Sequence, residues 1–453
     1  MGNTSNRVEY TRAEKEARME IYKKSIESVM DQVDRVKKTA RYANTYNSLP
    51  HTAMRIIRAA AHYDLQKNEE LDLFFMYEDE GISQDFDNPE YYDHASVKGD
   101  NGPDNPKKPL EDGEQWNKGR RATLTGVEYK LDEDGYPINP YQKRGMRGRG
   151  MFWRYGPSIA VDNGAVKFKD GRLHVTGIVR GDSKLPGFAG GYANLQKNED
   201  GEYYIDQEAI IDSQVMEFFE EMVSGSVPLE ANAQEVEDAY QARLKTFEEK
   251  SKKPASEYDQ ERIRGQVETH FKFEQVKAKD LEFLERLRNV IAQGQECYRG
   301  PVLNDNRGTD TSWCESILTW YNFDDEVWDW VRRGDNDQDP IYPYEFAAGD
   351  DAAGLVLHNI NPEFIETACA SHGPMAAIML ASYVLDAVEK GANVHNTDFR
   401  FIDQLTQIAT FLEREAGLDM YIPNPKTEVD FFKNNDDQTQ PKNRPQRRSQ
   451  LRL

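Results

Sequence analysis

Cysteine is scarce in this sequence, and so are long apolar runs. Its 453 residues include only three cysteines, Cys297, Cys314 and Cys369. An odd number at such wide spacing fits neither a disulfide framework nor a zinc cluster, so a reducing compartment is expected. No apolar stretch approaches the roughly 20 residues that a helix needs to cross a bilayer. These two shortages predict a cytoplasmic protein that is not bound to a membrane.

Basic residues are outnumbered as well. The chain has 57 Lys and Arg against 80 Asp and Glu, which gives a formal net charge of −23. Such a charge repels nucleic-acid backbones and anionic membrane surfaces, so neither is an expected partner. If the substrate is nonetheless a phosphoanion, a metal ion or a few focused arginines must neutralise it. The oligomeric state is left open by these numbers.

Residues 1–124 are predicted to form a helical and irregular N-terminal region. Helix formers from Thr11 to Arg41 include an apolar stripe spaced three and four apart, which predicts one long amphipathic helix. The stripe consists of Met19, Tyr22, Ile26, Val29, Val33 and Val36. A second helix is predicted from Thr52 to about Leu65, and the acidic, Pro- and Gly-containing residues 78–118 are predicted to be irregular. Both helices are expected to pack against the main domain.

The remaining chain mixes strand-like and helical patterns, which predicts one α/β domain over residues 125–420. Short segments broken by glycine predict strands between Val127 and Val179. A charged stretch at about 230–297 predicts an inserted helical hairpin with Pro254 near its turn, and a solvated decoration is the favoured interpretation. Residues 421–453 are predicted to be a disordered tail. Further helices are predicted at 207–223, 374–390 and 398–417, and further strands at about 301–320 and 354–360.

The most informative segment is the predicted helix at 207–223. Glu217, Glu220 and Glu221 are spaced i, i+3 and i+4, so their carboxylates share one face. A solvated helix would tolerate three such acids, and this simple interpretation stays open. The apolar residues around them instead place the acids at the edge of a core, where clustered carboxylates need a compensating cation such as Mg²⁺.

This segment resembles the Nudix box. Glu208 is followed by seven residues, then Met216, Glu217, two aromatic residues and Glu220-Glu221. The box normally begins with a glycine that is separated from its first glutamate by five residues. Here Leu185-Pro-Gly with Gly190-Gly191 is similar to that entrance, but eleven extra residues follow, which predicts a small hairpin around residues 199–201. Met216 replaces the box arginine, and Val223 replaces the closing glycine.

Four flanking segments, in the family's order, extend the resemblance to about residues 125–375. They are similar to segments of the mitochondrial-type ADP-ribose pyrophosphatases and of the related C-terminal domain of melastatin-type cation channels. The four segments are 145–162, with its run of Gly and Arg, Tyr298 to Trp313, Ala348 to Ala352 and Ala370 to His372.

The resemblance implies a Nudix fold, with a mixed sheet between helices, and Mg²⁺-dependent hydrolysis of ADP-ribose to AMP and ribose 5-phosphate. Mn²⁺ is a possible substitute metal. It implies Glu217, Glu220 and Glu221 as metal ligands and catalytic residues. By the same resemblance, Asp305 and Arg307 would contact ADP-ribose and His372 would lie nearby.

Several of these assignments have simpler alternatives. Arg307 would otherwise be a surface ion pair, and His372 a structural histidine. Asp350 and Asp351 are interpreted as turn caps. Arg147, Arg149 and Arg154 would either balance the acidic interior or reach phosphate. For the whole protein, two alternatives to an ADP-ribose hydrolase stay open. One is an ADP-ribose sensor whose catalysis is weak because Met216 lacks the arginine's donors. The other is a Nudix hydrolase of another nucleoside diphosphate derivative.

Overall fold

A computed structural model provides the fold. It describes residues 10–39, 48–70, 122–132, 136–143, 152, 155–181, 183–199, 203–251, 254–322, 347–349, 352–391 and 398–418. The predicted irregular segment at 78–118, the tail at 421–453, Arg147, Arg149, Arg154, Asp350 and Asp351 lie outside these residues. The division of the chain into three regions stays a prediction.

The described residues form helices on both sides of a sheet. The helices are α1 (Arg12–Ser25), α2 (Glu27–Thr39), α3 (Leu49–Glu70), α4 (Gln207–Met222), α5 (Ala233–Ser251), α6 (Glu257–Lys279), α7 (Leu281–Ala292), α8 (Pro362–Thr367), α9 (His372–Glu389) and α10 (Phe399–Glu415). The strands are β1 (Gly156–Lys169), β2 (Arg172–Arg180), β3 (Pro186–Gly187), β4 (Ala189–Tyr192), β5 (Gln196–Lys197), β6 (Tyr203–Tyr204), β7 (Gln295–Pro301), β8 (Ser312–Asn322) and β9 (Ala352–Asn359). None of the described helices is both long enough and apolar enough to cross a membrane.

The main sheet is mixed and has seven strands. Its central order is β3-β2-β1-β8-β7, with β4 paired to β1 and β9 paired to β2. β1 and β8 are parallel, and the other pairs are antiparallel. The long strand β1 pairs with β4 through residues 160–163 and with β2 through residues 165–169, so two strands share one of its edges. This division places the short strand β4 beside α4.

The sheet lies between two helical layers. Neighbouring residues of β1 point to opposite faces, and Ala165 and Val166 accordingly belong to different apolar clusters. The Val166 cluster includes α1, α2, α3, α9 and α10, whereas the Ala165 cluster includes α4, α6 and α7. The structure thus confirms the predicted α/β architecture of a mixed sheet between helices, with a helical N-terminal region and a helical insertion.

The N-terminal helices pack against the main domain, as expected. Every member of the predicted apolar stripe is at most 7% exposed. The prediction of one continuous helix was wrong, because the chain breaks at Ile26, whose φ of −119° is not helical. α1 begins with a capping box between Thr11 and Glu14. α3 is longer than predicted, at 22 residues, and packs against α9 and α10.

The insertion contains three helices, whereas a hairpin was predicted. Pro254 does lie between α5 and α6. The interpretation as a solvated decoration was wrong for α7, which buries Phe283, Leu284, Leu287 and Ile291 in one cluster with α4. These residues recur three or four apart, so they form one apolar stripe. The insertion therefore completes the core beneath the acidic helix.

Candidate functional site

The acidic helix α4 begins at a conventional cap. The Asp206 side chain accepts a hydrogen bond from the Ala209 amide at 2.8 Å. Towards the end of the helix, Phe218 and Phe219 are fully buried in the core. Glu221 is only 5% exposed, and Glu217 and Glu220 are partly exposed. The acids therefore lie at the edge of the apolar cluster, as the sequence pattern indicated.

Two glycines of β4 lie against these acids. The Gly190 amide donates a hydrogen bond of 2.6 Å to Oε2 of Glu221. The Glu217 carboxylate lies so close to Gly191 that an added Cβ would be 2.5 Å from its carboxyl carbon. Glycine at position 191 therefore permits the close approach of strand and helix, whereas glycine at position 190 permits the close approach of β4 to Val161 and Asp162 of β1. The predicted hairpin between β4 and α4 is confirmed, since β5 and β6 pair in antiparallel fashion.

The three glutamates do not form a preformed metal site in this structure. Within the described residues, no group of three or more His, Cys, Asp or Glu side chains is arranged to bind a metal ion. Glu221 instead has one carboxylate oxygen bonded to the Gly190 amide. The assignment of Glu217, Glu220 and Glu221 as metal ligands stays a prediction.

Asp162 on β1 is a site residue that the sequence interpretation did not identify. It is 4% exposed and pairs with Gly190 in the sheet. Its Oδ2 accepts a hydrogen bond from the Ser316 hydroxyl, and its Oδ1 lies 3.6 Å from Nε2 of His372. In the sequence, the only indication of its role is that it ends segment 145–162, which resembles the family. Through Gly190, this carboxylate connects the acidic helix with His372.

His372 is buried at the start of α9. Its Nδ1 accepts a hydrogen bond of 3.2 Å from the Phe188 amide, so in the neutral ring the proton is on Nε2 and faces Asp162. Burial lowers the pKa of His372, while the Asp162 carboxylate opposes this shift. The imidazole is therefore neutral at pH 7, with a fixed tautomer.

Asp305 and Arg307 pair with each other in the loop between β7 and β8. Asp305 is 4% exposed. Its carboxylate accepts hydrogen bonds from the Arg307 amide at 2.9 Å, from Nε at 2.9 Å and from Nη2 at 2.6 Å. The guanidinium carbon lies 5.4 Å from the centre of the Phe152 ring. The neighbouring charge of Asp305 raises the pKa of Arg307 despite desolvation. Asp305 thereby fixes the orientation of a permanent cation.

The predicted substrate residues converge from several elements. The loop that contains Asp305 and Arg307 meets the start of α9, because the main-chain amide of Asn304 donates a hydrogen bond of 3.1 Å to the Ser371 hydroxyl. The structure therefore brings this loop and His372 to one region, where Asp162 lies beside His372. The contact of Asp305, Arg307 and His372 with ADP-ribose stays a prediction.

Basic residues of the insertion contact α4 at both ends. Arg288 on α7 pairs with Asp212 at 3.0 Å and with Glu208, and Lys272 on α6 donates to the Ser224 carbonyl at 2.9 Å, just beyond the helix. Arg288 meets the first half of the helix, away from Glu217. The partly exposed Met216 lies one turn beyond Asp212.

The segment before β9 also closes the end of α4. The Ala347 amide donates to the Met222 carbonyl at 2.9 Å, and the Gly349 amide donates to the Glu221 carbonyl at 3.1 Å. Carbonyls at a helix end have no partners within the helix, so these two amides satisfy them from outside. The Ala348–Ala352 segment, part of which lies outside the described residues, thus contacts the acidic helix directly.

Two known proteins resemble parts of this chain. No family model matches the chain. It is 27% identical over 223 residues to transient receptor potential cation channel subfamily M member-like 2 of Nematostella vectensis, a match that covers 49% of this chain and 10% of that relative. A solved MutT/nudix family protein from Enterococcus faecalis aligns with 57% of this chain and 81% of its own, at 10% identity and a TM-score of 0.25.

Proposed function

We propose that this chain is a Nudix-type module that binds ADP-ribose and hydrolyses it, with Mg²⁺, to AMP and ribose 5-phosphate. The observation that supports this most strongly is the joining of two predicted sets of residues. Gly190 contacts Glu221 through its amide and Asp162 through the sheet, and Asp162 faces His372. An acidic helix and a cationic loop thus flank one region, as a pyrophosphate site requires.

The donor chemistry of α4 fits Mg²⁺. This ion prefers oxygen ligands and commonly uses only one or two carboxylates, with water and substrate phosphate completing its shell. Glu217 and Glu221 would bind it, and Glu220 would be a further ligand or would orient the attacking water. When bound, the ion supplies charge neutralisation and Lewis acidity toward the pyrophosphate oxygens.

The remaining residues would bind and orient the substrate. The Arg307 guanidinium, fixed by Asp305, is suited to phosphate oxygens because its planar fork donates two parallel hydrogen bonds. The neutral His372 ring supports Asp162, which in turn lies beside Gly190 and thus beside the acidic helix. Hydrolysis would then depend mainly on positioning and electrostatics.

A sensor that binds ADP-ribose without hydrolysing it is the second candidate. Met216 favours it, because its side chain supplies no hydrogen-bond donor where the box has arginine. The similar protein from Nematostella vectensis is named as a cation channel subunit, a context in which ligand binding without turnover would suffice.

Two assays on purified protein separate these functions. AMP release from ADP-ribose is measured with and without Mg²⁺, and ADP-ribose binding is measured by calorimetry. Binding with Mg²⁺-dependent turnover supports the hydrolase, and binding without turnover supports the sensor. Turnover of NADH or a nucleotide sugar, without turnover of ADP-ribose, would show that the substrate is another nucleoside diphosphate derivative. If the protein neither binds nor turns over any of these compounds, the proposal is refuted.

A further inference from the structure

A buried hydrogen-bond network connects helix α3 to the loop that contains Asp305 and Arg307. Asp64 of α3 is fully buried. Its Oδ1 accepts a hydrogen bond of 2.6 Å from Nδ2 of Asn304, and its main-chain oxygen accepts a second bond of 3.2 Å from the same amide. Asn304 immediately precedes Asp305. A helix outside the region of family resemblance is therefore bonded to the predicted substrate loop.

The same network reaches the start of α9. The main-chain amide of Asn304 donates a hydrogen bond of 3.1 Å to the Ser371 hydroxyl. Ser371 immediately precedes His372. Asp64 thus contacts the neighbour of Asp305 directly and, through Asn304, the neighbour of His372, 67 residues further along the chain.

A second contact from α3 fixes the preceding loop residue. Asn68, one turn after Asp64, donates a hydrogen bond of 2.6 Å to the Leu303 carbonyl. The Asn68 carbonyl oxygen accepts a hydrogen bond from Arg18 of α1. Two successive loop residues are therefore attached to α3, and α3 is itself attached to α1.

We propose that Asp64 is a positioning residue for ADP-ribose binding, which fixes Asn304, and through it Ser371, and thereby orients the Asp305–Arg307 pair and His372. The inference rests on the proposed function for the identity of its ligand. A buried carboxylate is costly unless it is fully hydrogen-bonded, and packing alone is served as well by an apolar side chain. The cost is offset here by Tyr22 of α1, which donates to Oδ2, and by Asn304 of the substrate loop, which donates to Oδ1.

The charge state of Asp64 should control this network. Burial raises the pKa of Asp64 to about 7, while the hydrogen bonds from Tyr22 and Asn304 and the charge of Arg18 oppose this shift. Tyr22 and Arg18 face it from α1, and Tyr298 faces it from β7. The ionised carboxylate accepts from all of its donors, whereas the protonated acid has an O–H that needs an acceptor of its own. Acidification through pH 7 should therefore loosen the loop.

The first test needs no substrate. Amide hydrogen exchange of the 302–309 peptide is compared at pH 8 among the wild type, Asp64→Asn and Glu315→Gln. Glu315 is a matched control, since it is also fully buried with a pKa raised to about 7, but it bonds to Leu124 and Trp313. We expect exchange about tenfold faster in Asp64→Asn alone, because the hydrogen bond from Asn304 then ends on a neutral amide oxygen instead of a charged carboxylate. Equal exchange in all three proteins would overturn the proposal.

The second test measures ADP-ribose affinity by calorimetry from pH 6 to pH 8.5. The wild type and Glu315→Gln should bind more weakly as the pH falls below 7, whereas Asp64→Asn should bind about tenfold more weakly at pH 8 and change less with pH. An unchanged pH profile in Asp64→Asn would contradict the role. A wild type that does not bind ADP-ribose would refute the proposed function, while the exchange result would still decide the positioning role.

A reciprocal exchange of side chains tests the pair itself. In the double variant Asp64→Asn with Asn304→Asp, the amide and the carboxylate trade places, so one hydrogen bond can re-form in the reverse direction. We expect the double variant to recover slow exchange in the 302–309 peptide relative to either single variant. If Asp64→Asn does not fold, Asn304→Ala removes the same contact, and wild-type exchange in that variant would refute the proposal.

Discussion

Replacing Gly191 with alanine is expected to displace Glu217 while the fold remains intact. The added Cβ would lie 2.5 Å from the Glu217 carboxyl carbon, whereas ordinary contacts begin at 3.4 Å. The three nearest atoms all belong to the end of this one flexible side chain. The carboxylate therefore has to move by about 1 Å, and a displacement of that size can reduce a rate by about 100-fold.

The assay is Mg²⁺-dependent AMP release from ADP-ribose, with thermal unfolding as a check on the fold. Gly354→Ala is the matched control, because a Cβ there meets nothing within 4 Å and should leave turnover and stability unchanged. Gly190→Ala is the opposite control, since its Cβ would meet the Val161 carbonyl and Asp162. Overpacking against fixed backbone of this kind costs about 1–3 kcal/mol.

The result that would refute this reasoning is specific. If Gly191→Ala turns over ADP-ribose as fast as Gly354→Ala, with the same dependence on Mg²⁺ concentration, Glu217 does not act in catalysis. If the thermal stability of Gly191→Ala falls as far as that of Gly190→Ala, its loss of turnover is caused by unfolding and does not test the role of Glu217.

Four further predictions concern single residues. Glu221→Gln should abolish Mg²⁺-dependent AMP release but lose only about 1 kcal/mol of unfolding free energy, since the new amide oxygen still accepts from the strand; normal turnover would contradict the metal assignment. Arg307→Ala should weaken ADP-ribose binding by about 1.5–3 kcal/mol in calorimetry, and affinity within error of wild type would leave Arg307 as an ion pair only. Met216→Arg should raise the turnover number and leave ADP-ribose affinity unchanged, whereas a variant that binds but never turns over would favour the sensor. Burial raises the pKa of Glu315 to about 7, so between about pH 4.5 and 7 the folded state retains a proton that the unfolded state releases, and the unfolding free energy should fall by roughly 3 kcal/mol over this range because of this group. Denaturation of Glu315→Gln should show an unfolding free energy that depends less on pH than that of the wild type, and an equal dependence would contradict the shift.

Local patterns in the sequence determined a large part of the architecture. The helix predicted at 207–223 is observed at Gln207–Met222, and the predicted hairpin before it is present. The N-terminal apolar stripe is buried throughout. These features depend on side-chain period and on caps, which act within a few residues, so a single sequence contains the necessary information.

Charge and surface patterns were a weaker guide to the insertion. Its many acidic and basic residues favoured a solvated decoration, yet α7 buries four apolar residues against α4. An amphipathic helix shows which face is apolar, but the sequence does not show which partner covers that face. The start of α7 does have a local signal, since the Asp280 side chain caps the helix by accepting a hydrogen bond of 3.2 Å from the Phe283 amide.

What the sequence determined by itself is therefore the periodicity of the elements, the glutamate register of α4 and the scarcity of cysteine and of apolar runs. Only the tertiary structure decided which groups meet. The Gly190 amide reaches Glu221 across 31 positions of the chain, and Asp64 reaches Asn304 across 240. Such contacts follow from how the strands of one sheet and the helices on its two faces are ordered in space. They have no period or spacing along the chain, and for that reason the role of Asp162 and the network around Asp64 appear only in the folded protein.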